Sequence, residues 1–232
     1  MAEGAAPRAI RGRLVLVAGA TSTSGVAATR ALVGAGARVV AVGRDEGRLR
    51  ALAVAVDGDV TTAVCDLADE RAVGALASEL HGRGERVDGI LHLVGGWRGG
   101  GGLAGQSDED FRFLEGSLTA LRHVTRAFWD DLLASPAARI AVVSSTAVAR
   151  PLAGGANYAA IKAATEAWTR AVAQGLAKAA RDADAPATAA AVVFRVKSLS
   201  GLEQTLADAF VALWDADASA VNDTTVDLAA RA

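Results

Sequence analysis

At 232 residues the chain is long enough for one sizeable core, and 52% apolar with only 4% aromatic content suits close packing of helices on a sheet. With 24 Lys and Arg against 26 Asp and Glu, its net charge of −2 gives no electrostatic case for nucleic acid or an anionic membrane as partner. The lone Cys65 excludes an intrachain disulfide and suits a reducing cytoplasm, no apolar run is long enough to span a bilayer, and His81, His92 and His123 lack metal-ligand spacing.

Residues 1–12 read as a polar tail with no signal-peptide core. A buried strand is expected at 14–18, then the turn Gly19-Ala-Thr-Ser-Thr-Ser-Gly25 and a helix to about Gly36. A second strand covers 38–42, followed by Gly43-Arg44-Asp45 and a helix over 45–56. The third strand, 60–64, ends in Cys65-Asp66-Leu67, and Asp69 opens the next helix. A fourth strand at 87–94 leads into the loop Trp97-Arg-Gly-Gly-Gly-Gly-Leu103, and a long helix covers 108–133. The fifth strand, around 140–143, is followed by an Ala-rich helix from about Asn157 to Lys178. A sixth strand at 190–196, a helix at 202–214 and a short strand near 225–228 complete the chain. Strands alternating with helices at these lengths imply βαβ units and a parallel sheet covered on both faces, hence one doubly wound α/β domain over 1–232.

Tyr158 and Lys162 are four residues apart and share one helix face. Ser145 lies thirteen residues earlier (158 − 145 = 13), at the mouth of the preceding strand. A phenol beside an ammonium group is expected to lose its proton more easily, so that Tyr158 gives and takes protons near neutral pH. A Ser hydroxyl on the same substrate oxygen would hold and polarise it. The bland alternative is a surface Tyr and Lys on an exposed helix.

This Ser/Tyr/Lys spacing resembles that of the short-chain dehydrogenase/reductase family, and the resemblance runs through nearly the whole chain. It implies a Rossmann-type sheet of about seven strands ordered 3-2-1-4-5-6-7. It also implies Ser145, Tyr158 and Lys162 as catalytic residues, with Lys162 also binding the nicotinamide ribose. The family's glycine turn cradles a dinucleotide pyrophosphate with backbone N–H groups at a helix N-terminus. Here Gly19 and Gly25 match its first and last glycines, and Thr23 or Ser22 stands at the middle one, depending on register. Thr21, Ser22, Thr23 and Ser24 offer hydroxyls to phosphate, with Val26 opening the helix behind them; a simple helix-capping cluster is the other reading. Arg44 occupies the place where an acidic residue would select NAD, which favours NADP, although a solvated Arg beside Asp45 fits as well. Asp66 and Leu67 match the adenine-contacting positions, and Asp66 also suits a turn cap.

Three family motifs are altered. Asn-Asn-Ala-Gly is replaced by His92-Leu93-Val94-Gly95, which leaves Val94 and Gly95 as the nicotinamide-side wall and His92 as a buried structural residue. The helical catalytic Asn about 28 residues before the Ser corresponds to Ser117 (145 − 28 = 117), which lacks the amide's paired donor and acceptor and is either a weaker catalytic substitute in the proton relay or a helix-interior Ser with no catalytic part. The Pro-Gly after the sixth strand is absent, with only a few residues before the next helix, so a lid of ordinary length is missing. Trp97 and Arg98 either fold over the site and meet substrate or belong to a solvent-facing glycine loop.

The favoured function is reduction of a small-molecule carbonyl, or oxidation of an alcohol, with NADP preferred to NAD. The alternatives are a redox-inactive binding or assembly protein and a non-redox dehydratase or isomerase of the same fold. The family pairs subunits through the helices matched here by 108–133 and 157–178, so a cytoplasmic dimer or tetramer is expected.

Overall fold

The computed structural model describes residues 9–231; the first eight residues of the expected tail lie outside the described residues. The chain runs β1 (Leu14–Ala18), α1 (Thr23–Gly34), β2 (Arg38–Gly43), α2 (Glu46–Ala55), β3 (Val60–Val64), α3 (Glu70–Gly82) and β4 (Gly89–His92). It continues through α4 (Asp108–Ala127), α5 (Trp129–Ala134), β5 (Arg139–Ser145), α6 (Ala156–Asp182), β6 (Ala190–Val196), α7 (Glu203–Val211), α8 (Ala218–Val221) and β7 (Thr224–Asp227). Among the described residues these strands form one parallel sheet in the expected order, β3-β2-β1-β4-β5-β6-β7.

The apolar runs of the central strands follow from burial on both faces. Val15 and Val17 of β1 join a core with Ala28 and Leu32 of α1, Leu49 of α2 and Phe210 of α7. Leu14, Leu16 and Ala18 of the same strand join the opposite core, with Val73 of α3, Val124 of α4 and Leu176 of α6. A strand so enclosed has no polar side to alternate with.

After β3 the chain crosses back so that β4 lies on the other side of β1. The segments leaving β1 and β4 therefore diverge, and a crevice opens at their carboxyl ends. Its base is tight. Leu93 N–H donates to the Ala18 carbonyl at 2.8 Å, and Gly19 (φ +84°) passes so close that a Cβ there would lie 3.1 Å from the Leu93 carbonyl. Only glycine combines that dihedral with that approach.

Three expected boundaries shift for physical reasons. Residues 9–12 are not a free polar tail: Ile10 is fully buried and Gly12 N–H donates to Gly36 O at 2.8 Å. The expected helix over 108–133 breaks at Phe128 (φ −107°, ψ 16°), whose ring is fully buried. The turn so made buries the Asp131 carboxylate, which accepts from Val87 N–H and bonds His81 Nε2, each at 3.0 Å. The last long helix ends at Val211 and runs into a 3-10 turn at 212–215.

At the amino end of β5, buried Arg139 donates to the carbonyls of Leu213 (2.7 Å) and of Ala138, Thr188 and Ala216 (2.9 Å each), tying the segments around β6 and α7 to the sheet. Replacing it with Met removes this donor from Leu213, Thr188 and Ala216, while Ala138 O keeps the Ala190 N–H at 3.0 Å. We expect Arg139→Met to lose about 3 kcal/mol of unfolding free energy in urea melts, because each buried orphan costs ~1–3 kcal/mol.

Candidate active site

Ser145 is the last residue of β5, and Tyr158 and Lys162 stand on successive turns near the start of α6. The helix begins after a short 3-10 turn at 153–155 that reverses the chain over the strand end. Lys162 Nζ donates to the Val143 carbonyl at 2.8 Å and lies 5.7 Å from the centre of the Tyr158 ring. The Ser145 hydroxyl faces the phenol, and its oxygen also accepts from Ala147 N–H at 3.1 Å. The three side chains predicted from spacing are brought together.

Their electrostatics differ from expectation. Tyr158 is raised above the usual phenol value, because burial outweighs the lowering hydrogen bond from Ser145. Lys162 does not acidify it: the ammonium bonds a strand carbonyl and stands over the ring, not against the hydroxyl. Burial instead pushes Lys162 itself down to about 8. His92, at the end of β4, is pushed down to about 4, first by burial and then by the Lys162 charge. It is neutral at pH 7, so its Nε2–H donates to the Ser117 carbonyl at 3.0 Å, while Nδ1 has no partner among the described residues.

Ser117 lies on the cavity wall. Its hydroxyl donates to Leu114 O at 2.7 Å, one turn back along α4, and its carbonyl is held by His92. It borders the site but its side chain is committed to its own helix.

The crevice holds a cavity of about 450 Å³. Of the sequence-predicted nucleotide residues, Gly19, Thr21, Ser22, Arg44, Asp66, Leu67, Val94 and Gly95 line it. Lys162 adjoins its far end, since a Cβ on Gly95 would sit 3.8 Å from Nζ. Thr23, Ser24, Gly25 and Val26 form the first turn of α1 behind the wall. Ser22 is the N-cap: its oxygen accepts from Gly25 N–H at 3.0 Å and its hydroxyl donates to Gly19 O at 2.9 Å. Gly25 is sterically required, for a Cβ there would meet the Ala20 backbone at 2.5 Å. Asp66 caps its own turn through Ala68 N–H at 3.0 Å while remaining on the cavity wall.

Two further arginines line the cavity that sequence reasoning missed, Arg48 and Arg112. Arg48 bonds the Thr21 carbonyl, and its position four residues after Arg44 was a usable signal. Nothing in the local sequence marks Arg112 of α4.

The glycine loop after β4 is tied down. Gly100 N–H donates to Gly154 O at 2.7 Å, and the Gln106 amide donates to the carbonyls of Gly100, Gly102 and Gly154 at 3.0–3.2 Å. Gln106 also accepts from Asn157 N–H at 3.1 Å, next to Tyr158. Arg98 packs over the Phe113 ring at 4.1 Å and pairs with Asp110 at 3.7 Å, so its charge is already met. Trp97 is 62% exposed. After β6 only residues 197–202 precede α7, as the missing Pro-Gly implied.

The short chain dehydrogenase family profile matches residues 13–181. The NADP-dependent 3-hydroxy acid dehydrogenase YdfG of Salmonella typhi is 30% identical over 151 residues, 65% of this chain and 61% of that protein. Sulfoacetaldehyde reductase 2 of Chromohalobacter salexigens is 33% identical over 165 residues, 67% of this chain and 64% of that protein. Each match therefore spans less than two thirds of the relative's length. Among solved structures, a metagenomic short-chain oxidoreductase in complex with NADP superposes with a TM-score of 0.81 at 26% identity, covering 94% of this chain and 97% of that one.

Tyr158 is the single tyrosine of the chain. Tyrosinate absorbance near ~295 nm therefore reports this phenol alone. In cofactor-free protein its midpoint is expected above the ordinary value of about 10, and Ser145→Ala should raise it further by removing the lowering hydrogen bond.

Proposed function

The chain belongs to the short chain dehydrogenase family, and from that premise we propose an NAD(P)-dependent oxidoreductase that reduces a small-molecule carbonyl or oxidises the matching alcohol. The observation that carries this reading is the convergence of Ser145, Tyr158 and Lys162 beside a cavity at the sheet's switch point. The residues present fit a dinucleotide. Gly19 and Gly25 let the turn pack against the Leu93 and Ala20 backbones, Thr21 and Ser22 face the cavity, the amino end of α1 favours an anion, and Arg44 after β2 and Arg48 of α2 stand on the wall. When bound, a nicotinamide dinucleotide supplies or accepts the hydride.

The protein's own groups supply the proton and the geometry. A phenol raised by burial keeps its proton at neutral pH, which suits Tyr158 to donate to a carbonyl oxygen as negative charge develops there. Ser145 holds that oxygen through its hydroxyl. Lys162, anchored on Val143 O by one of its three N–H bonds, keeps two to offer ribose hydroxyls and contributes positive charge to a site that disfavours it. Ser117 takes no proton in this scheme because its hydroxyl is spent within α4. In the glycine loop the Trp97 side chain is exposed and makes no polar commitment, whereas Arg98, also exposed, is engaged by Phe113 and Asp110; Trp97 is the one offered to a substrate.

Three finer readings complete the proposal. NADP is preferred to NAD, supported by Arg44 and Arg48 on the cavity wall and the lack of an acidic side chain at the end of β2. The location is cytoplasmic, supported by the lone buried thiol of Cys65; no helix among the described residues is long and apolar enough to cross a membrane. Subunits pair through α4 and α6, where an apolar cavity of about 420 Å³ is walled by Trp129, Trp168, Val172 and Gly175. The dimer or tetramer reading is tested by light scattering.

Tyr158→Phe is expected to lower kcat by ~10²–10⁴-fold while NADPH affinity, measured by fluorescence, stays within about threefold of wild type; wild-type turnover would refute the assignment. NADPH should raise the melting temperature more than NADH. Arg44→Ala should narrow that affinity ratio about tenfold, the scale of one lost charge-assisted contact.

A further inference from the structure

Tyr158, Lys162 and Glu166 recur at intervals of four and form one stripe along α6. The first two belong to the site. The third is a carboxylate only 2% exposed, and a buried charge is retained only with close partners. Ser144 Oγ donates to Glu166 Oε1 at 2.7 Å. Arg195 donates through Nε to Oε1 at 3.2 Å and through one terminal nitrogen to Oε1 at 2.9 Å and Oε2 at 2.7 Å. Arg170, one turn further along α6, reaches Oε2 at 3.4 Å.

These partners lie on different elements at one level. Ser144 and Arg195 are directly paired in register across β5 and β6, and the residue after Ser144 is Ser145. A single carboxylate thus ties α6 to the carboxyl ends of two strands, one turn beyond Lys162. As a source of stability this is weak, because an apolar trio of similar volume would hold the same elements about as well. What it adds is direction: a planar fork gripping a carboxylate fixes rotation and register where an apolar contact would let the helix slide.

We propose that Glu166 and Arg195 are positioning residues, locking the register of α6 against β5 so that the Tyr158 hydroxyl meets the Ser145 hydroxyl. The proposal rests on the reading of Tyr158 as the proton donor and Ser145 as the holder of the same oxygen. Neither Glu166 nor Arg195 touches the reacting atoms. Their effect travels through Ser144 into the backbone of Ser145, and through one turn of α6 into Lys162 and Tyr158.

The test uses the full-length chain carrying Glu166→Gln, Arg195→Met or Arg195→Lys. Arg38→Met is the control: it breaks the ion pairs of Arg38 with Asp59 and Glu85 at the start of β2, far from the site. Melting temperature, kcat, KM and the tyrosinate midpoint of Tyr158 are read for each. Glu166→Gln and Arg195→Met are expected to lower kcat by roughly 10- to 100-fold with KM within about threefold, the scale of a small misplacement of reacting groups. Their Tyr158 midpoint should rise as the Ser145 hydrogen bond is lost. Arg195→Lys, which keeps the charge without the fork, should recover only part and remains readable if Arg195→Met fails to fold. Arg38→Met should lower the melting temperature without changing kcat or the midpoint. Variants at Glu166 and Arg195 that behave like Arg38→Met would overturn the proposal. A shifted midpoint in a protein whose wild type turns over no carbonyl would sink the redox reading and leave the positioning role standing.

Discussion

The bond from Lys162 Nζ to the Val143 carbonyl, 2.8 Å long, sets the terms for everything around it. A carbonyl near the carboxyl end of a buried strand needs a donor, and here the donor comes from the helix that returns over the strand. Once the amine is drawn down to meet it, the turn of α6 that carries Tyr158 lies over Ser145. The same approach strips water from the amine, so its charge becomes harder to hold and its pKa falls to about 8. His92 and Tyr158 respond to the same dryness, one held neutral and the other held protonated. Burial thus widens the pH range over which both groups stay uncharged beside the Lys162 amine.

The opposite end of the crevice has the contrary character. Arg44, Arg48 and Arg112 converge on its wall, and the α1 end is capped by Ser22, with Gly19 three residues before it and Gly25 three after. A site with a solvated cationic end and a desolvated, weakly charged end suits a ligand that is anionic at one extremity and reacts at the other. The division follows from topology. β1 and β4 part where the strand order reverses, which opens the cationic end, whereas β5 and α6 close together and bury the other.

With only residues 197–202 between β6 and α7, two other devices border the desolvated end. The loop after β4 is fastened to the turn before α6 by Gln106, whose amide serves both as donor to three carbonyls and as acceptor from Asn157 N–H. On the other flank, Glu166 draws Arg195 and Ser144 together. Both are hydrogen-bonded polar networks that join separate segments, which gives direction where apolar packing alone would allow drift.

Much of this protein was legible before any coordinates. The apolar runs at 14–18, 38–42 and 140–143, the glycines at 19 and 25 and the spacing of Ser145, Tyr158 and Lys162 carry the fold and the candidate site, because strand burial, turn geometry and helix periodicity are local properties written into neighbouring residues. The break at Phe128, the docking of Ile10, the withdrawal of the Ser117 hydroxyl and the arrival of Arg112 were not legible, since each depends on what a distant segment brings alongside. The Tyr158 pKa shows the division most sharply. Sequence placed a lysine one turn away; only the tertiary structure decided that its charge would be turned towards a strand carbonyl and that burial would govern the phenol, because desolvation and direction belong to three-dimensional surroundings and not to spacing.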